Sequence, residues 1–138
     1  MEYVIFGIIA AILLYLFVRH DSEKREEMIS QFFEGRESLS PIDFYEKYYQ
    51  EKGVSKNIVI KILEILEEEL ETKLCQLKPE DDLSNNLRFL FEFDSMADVS
   101  LVENIEKTFF IKISDIEAEN IKTIDSLIFF IHERTVNA

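Results

Sequence analysis

Sixteen consecutive residues near the start of the chain, Tyr3 to Val18 (YVIFGIIAAILLYLFV), carry no charge. No other feature constrains the fold as strongly, because a helix that is apolar all round has no place on the surface of a water-soluble domain. At 1.5 Å per residue the run reaches roughly 24 Å, a little short of a hydrocarbon core of about 30 Å. Met1 and snorkelling from Arg19 make up the difference. Tyr3 and Tyr15 suit the interfacial layer. A cleaved signal peptide is the competing reading, and it needs a basic leader and a small-residue cleavage site after the apolar run. Here the leader is Met-Glu, Ala10 and Ala11 lie inside the run, and the run ends in Arg-His-Asp-Ser. The expectation is an uncleaved, single-pass anchor through residues 3–18. Arg19, Lys24 and Arg25 follow the run and no Lys or Arg precedes it. The positive-inside rule then puts the C-terminal bulk in the cytoplasm.

The rest of the chain is acidic. A net charge of −13 excludes nucleic acid as a partner, since phosphate binding needs a basic surface. It also disfavours broad adsorption on anionic lipid and suits partners with basic patches. Cys75 is the single cysteine, so neither an intrachain disulfide nor a cysteine metal cluster can form. His20 and His132 lie far apart without metal-ligand spacing, and no metal site is expected. With three glycines, two prolines and no strand-turn-strand rhythm, the chain reads as all-α.

The chain divides into an anchor at 1–20, a helical stalk and accessory aromatic helix at 21–54, and a domain at 55–138. Residues 21 to about 38 are charged, with Met28, Ile29, Phe32 and Phe33 on one side. Ser40, Pro41 and Asp43 mark a helix start: N-cap, first position and first-turn acid. Phe44, Tyr45, Tyr48 and Tyr49 on that helix either form a partner surface or pack on the neighbouring domain, and packing is the expectation. Gly53 ends it and Ser55 caps the next helix, which runs to about Thr72. Val59, Leu63, Leu66 and Leu70 repeat at helical spacing as a core stripe, widened by Ile58, Ile62 and Ile65. Glu67, Glu68, Glu69 and Glu71 form its wet side. Residues 73–93 read as a long loop pinned by Leu77, Leu83, Leu87, Phe89, Leu90 and Phe93. A loop of that length is unusual unless it packs its own side chains or serves a function. A helix opens at Asp94-Ser95-Met96 and runs to about Phe109, with Val99, Val102, Ile105 and Phe109 expected to be buried. Ile111 to Ser114 is an extended link, Asp115 to Asn120 a short helical turn. Thr123 caps a last helix through Arg134 that buries Ile124, Leu127, Ile128 and Ile131.

The 38 residues from Asp94 to Ile131 resemble acyl carrier proteins. The matching pieces are Asp94-Ser95-Met96 at a helix head, Val99-Ser100-Leu101-Val102, an acidic stretch from Glu103 to Phe109, the link Ile111 to Ile113, the short helix 115–120, and Ile121-Lys122-Thr123-Ile124 before a final apolar helix. No gap is needed to match them. The helix at 56–72 and the loop after it stand where the family's first helix and loop stand. The resemblance implies an acyl-carrier-like four-helix bundle, joined here to a transmembrane helix and extra membrane-proximal helices. It implies 4′-phosphopantetheine esterified to Ser95, with Asp94 recognised by the phosphopantetheinyl transferase or helping to hold its magnesium ion. A helix N-terminus suits the phosphodiester anion. The arm's thiol would carry an acyl group, and the carrier itself would catalyse nothing. Val99, Val102 and Leu127 are expected to line a space for the acyl chain. Met96, Asp98, Glu103 and Glu106 are the expected partner-binding residues, facing acyl-loading and acyl-transfer enzymes at the membrane.

The chain also departs from the family pattern. Glu92 stands where the family has a glycine, Met96 where it has leucine, and Ala97, Ser100 and Lys107 thin the usual acidic face. This points to a dedicated partner set. Two alternatives share the fold: an unmodified interaction module that scaffolds a partner at the membrane, and a carrier for amino-acyl or peptidyl groups. Cys75 reads as a packed or idle thiol, and His132 as a residue suited to a helix C-terminus.

Overall fold

The computed structural model describes residues 2–92 and 96–136, the side chains of residues 21 and 22 excepted. Six α-helices follow in chain order: α1 Glu2–Phe33, α2 Pro41–Tyr48, α3 Lys56–Glu69, α4 Ala97–Phe109, α5 Asp115–Asn120 and α6 Ile124–Val136. No strand occurs among the described residues; an isolated bridge joins Asp82 and Thr123. The all-α expectation is met. Two compact units result, Met1–Gly35 and Arg36–Ala138.

The first unit is α1. Its 32 residues span about 48 Å, and the apolar run is continuous with the charged segment behind it. Side-chain pairs one turn apart support that extension, as between Arg19 and Glu23 at 3.2 Å. Among the described residues α1 is the one helix long and apolar enough to cross a membrane, and none of its apolar window is buried within the protein. Gly35, at φ 78°, follows its end.

The second unit is built around α3, which packs against α2, α4 and α6. Val59, Ile62, Leu63, Ile65, Leu66 and Leu70 on α3 and its C-cap are buried, as their spacing predicts. The helix stops at Glu69 rather than near Thr72. Glu71 then turns the chain through a positive φ of 50°, so the glutamate run does not continue as helix. On α2, the Ser40 hydroxyl accepts the Asp43 N–H at 3.2 Å and Pro41 takes the first position. Phe44 and Tyr49 are buried, with ring centroids 5.8 Å apart, and Tyr49 meets the Phe129 ring of α6 at 6.0 Å. Phe44 and Tyr49 therefore pack inward while Tyr45 and Tyr48 are half-buried, and α2 is part of the bundle's own core. On α6, Ile124, Leu127, Ile128 and Ile131 are all buried.

The connection from α3 to α4 packs as its apolar residues require. Leu74, Leu77, Leu87, Leu90 and Phe91 are buried, while Leu83 and Phe89 are half-buried. At its centre Asp81 is 1% exposed. Its carboxylate accepts from Arg36 Nη1 at 2.7 Å, the Lys78 N–H at 2.8 Å and Asn86 Nδ2 at 3.2 Å. Backbone hydrogen bonds stitch the same stretch to the start of α6: Leu83 N to Lys122 O at 2.7 Å, and Ile124 N to Asp81 O at 3.0 Å. A buried carboxylate is tolerated only when paired and hydrogen-bonded, and these donors meet that condition.

Candidate functional site

Ser95, the expected attachment residue, and Asp94, expected to be recognised by the transferase, lie outside the described residues. The surroundings begin at Met96, which is 56% exposed and stands at the N-cap of α4. A thioether is at best a weak acceptor, so the Met96 side chain is not itself an oxygen cap for the first-turn N–H groups. The first turn carries Asp98.

The buried stripe of α4 differs from the expected one. Ala97, Leu101 and Ile105 are buried at i, i+4 and i+8. Val99 is 48% exposed, and Val102 and Phe109 are half-buried. In the helix as it packs against α3, the buried face is the one carrying 97, 101 and 105. An Ala at 97 allows close approach, a packing cue that apolarity alone does not carry.

That placement leaves Val102 at the edge of a cleft of about 340 Å³. Leu101, Val102 and Ile105 of α4, Ile113 of the link, Ala118 of α5, Ile121 and Leu127 line its interior with Phe91 and Leu83; Ser84, Arg88, Asp98 and Glu119 supply its polar groups. Of the three residues expected to line such a space, Val102 and Leu127 do so. Val99 does not; it lies in a neighbouring shallow depression with Asp98, Glu103, Glu106 and Asp115. A mostly apolar cleft with a few polar groups is the usual form of a small-ligand site.

The acidic residues expected to meet partners have distinct surroundings. Asp98 receives both guanidinium nitrogens of Arg88, at 3.0 and 2.8 Å, a bidentate fork. The Asp98 hydrogen bond raises the Arg88 pKa above its already high ordinary value. The same guanidinium lies 5.1 Å from the centre of the Phe91 ring. Glu106 accepts the Ile113 N–H at 2.9 Å, so this carboxylate holds the link after α4. Glu103 is exposed. Below them, α5 is held by a reciprocal capping box: the Ser114 hydroxyl accepts the Glu117 N–H at 3.2 Å, and Glu117 accepts the Ser114 N–H at 3.1 Å. Arg134 of α6 pairs with the other oxygen of Glu117.

Arg88 is the residue of this site that sequence spacing does not mark. It pairs across ten positions, from loop to helix, and only i,i+3 or i,i+4 pairs on one helix are legible locally. The capping box, by contrast, is visible as Ser114-x-x-Glu117.

No family model and no solved structure matches the chain. Curated relatives do. The chain is 30% identical over 76 residues to an acyl carrier protein of Myxococcus xanthus, covering 55% of this chain and 91% of that protein. It is likewise 30% identical over 76 residues to an acyl carrier protein of Micrococcus luteus, covering 55% of this chain and 89% of that one. The all-helical bundle, the apolar cleft beside α4 and nearly full-length likeness to these relatives agree, and the chain belongs to the acyl carrier protein family.

Proposed function

We propose that this protein is a membrane-tethered acyl carrier, holding an acyl group as a thioester on a 4′-phosphopantetheine arm at Ser95 for transfer by partner enzymes. The observation that carries the reading is the gapless carrier pattern from Asp94 to Ile131 in a chain of this family that builds an apolar cleft beside α4. When bound, the arm supplies the thiol that carries the acyl group. This chain's residues suit such a group. The positive end of α4 favours a phosphodiester on Ser95, two residues before the helix begins, and the Met96 side chain brings no competing oxygen. Asp98, three positions after Ser95, would repel that anion, but Arg88 neutralises it. Val102, Leu127 and the other apolar residues of the cleft would take part of an acyl chain out of water.

In this reading a phosphopantetheinyl transferase modifies Ser95 and recognises Asp94. Acyl-loading and acyl-transfer enzymes then meet Met96, Asp98 and Glu103, and the carrier catalyses no step itself. α1 crosses the membrane with the bundle on the cytoplasmic side, as Arg19, Lys24 and Arg25 favour. Tethering raises the effective concentration of the thioester beside membrane acyltransferases without any new contact.

The test is an intact mass. The full chain is co-expressed with a broad-specificity phosphopantetheinyl transferase and extracted in detergent. The wild type should gain one phosphopantetheine and Ser95→Ala none. An unchanged wild-type mass, or the same gain in Ser95→Ala, would overturn attachment at Ser95; the first result would favour the unmodified interaction module.

A further inference from the structure

Among the ion pairs of the α3–α4 connection, Arg36–Asp81 and Arg88–Asp98 have contrasting settings. Asp81 is 1% exposed and meets Arg36 together with further donors; losing that pair would strand a buried charge, so it is permanent. Arg88 and Asp98 are 46% and 54% exposed. A pair so open to water has a small net worth and can be exchanged for a similar pair with another molecule at little cost.

We propose that the Arg88–Asp98 pair is a latch: it masks Asp98 from basic partners while holding the Arg88–Phe91 segment against α4 as the wall of the cleft, and a partner's guanidinium that takes Asp98 releases that wall.

The geometry supports both halves. Arg88 opens a 3₁₀ turn, Arg88–Phe91. Its guanidinium covers the Phe91 ring, and Phe91 is itself a lining residue of the cleft. Arg88 is therefore bonded to α4 on one side and stacked on the cleft wall on the other. Arg88 is also the one cation among the described residues that line the cleft. Leu90 and Phe91 are buried side chains of this turn, and the Arg88–Asp98 pair is a side-chain bond from the turn to α4. The turn's backbone bonds are local: Arg88 N to Asn85 O at 3.1 Å, Leu90 N to Leu87 O at 3.0 Å and Glu92 N to Phe89 O at 3.3 Å. The occupant of Asp98 would be basic, because the chain carries −13 and complementary charge steers encounter. An arginine matches the bidentate fork that Arg88 already makes. Docking on α4 and loosening of the cleft wall are then one event. The purpose of the latch rests on the carrier reading; its chemistry does not.

Hydrogen–deuterium exchange of residues 88–92, measured on the full chain in detergent micelles at low ionic strength, tests it. Asp98→Asn and Arg88→Gln should each exchange about fivefold faster there than the wild type, the ceiling for an exposed pair. The charge swap, Arg88→Asp with Asp98→Arg, should return exchange to near the wild-type rate. A tetra-arginine peptide should speed exchange in the wild type and leave Asp98→Asn unaffected. Wild-type rates in both single variants, a swap that stays fast, or a peptide effect absent from the wild type or equal in Asp98→Asn would each overturn the latch. Ser95→Ala, which can carry no arm, should behave as the wild type throughout, so a failed latch is told apart from a failed attachment by the intact-mass result.

Discussion

Tyr49 shows what a single side chain contributes to this bundle. It is fully buried, and its phenol donates to Asp125 Oδ1 at 2.7 Å. Burial first, and then this hydrogen bond and the Asp125 charge, push its pKa far above the ordinary value of 10.0. A raised pKa means that the folded state prefers the neutral phenol. The linked stability is complete below about pH 10 and is lost as pH rises beyond it, because the unfolded phenol ionises first. Tyr49→Phe should lower stability at neutral pH by about 1–2 kcal/mol, the worth of a hydrogen bond to a charged group that water can partly replace. It should also flatten the loss of stability above pH 10, as followed by urea titrations at several pH values. Asp81 is the harsher case. Asp81→Ala removes the acceptor of Arg36, the Lys78 N–H and Asn86, and should cost about 3–5 kcal/mol; a denaturation midpoint equal to wild type would contradict this account of the loop.

Among the elements, α4 carries the clearest conflict between sequence and conformation. Its C-cap is Phe110, at φ 56° and ψ 44°, a left-handed conformation that favours glycine. The ring is 93% exposed, so no burial offsets the strain. Phe110→Gly should stabilise the bundle by about 1 kcal/mol, seen as a higher thermal midpoint; a lower midpoint would mean that the ring has a partner contributing to the fold. The end of α3 was legible only in part for a related reason. Glu67 to Glu69 are good helix formers, yet the chain leaves the helix at Leu70 because that side chain is 3% exposed in the core and Glu71 turns with a positive φ. Tertiary burial overrode propensity there. α5 went the other way: its start follows from the Ser114-x-x-Glu117 box, a purely local device.

For the whole molecule, two units of different solvent preference share one chain. α1 exposes an apolar surface along its first half, with Tyr3 89%, Phe6 70% and Phe17 65% exposed, far beyond what a soluble surface carries as scattered residues. Alkaline carbonate extraction of membranes should leave the full-length protein in the pellet, and its release into the supernatant would count against a spanning α1. The second unit buries an ordinary core around α3.

The sequence by itself determined whatever a period or a cap encodes. It marked the apolar run of α1, the stripes of α3 and α6, the Ser40-Pro41 start of α2, and the carrier pattern around Ser95, because each is a relation between residues close along the chain. The tertiary structure decided what depends on which faces meet. It turned α4 so that Ala97, Leu101 and Ile105 are buried and Val99 is not. It drew α2 into the core through Phe44 and Tyr49. It also joined Arg88 to Asp98 and Arg36 to Asp81 across 10 and 45 positions. Pairings of that kind have no period to read; they exist only once the apolar residues of the α3–α4 connection have collapsed onto the helices and brought the charges together.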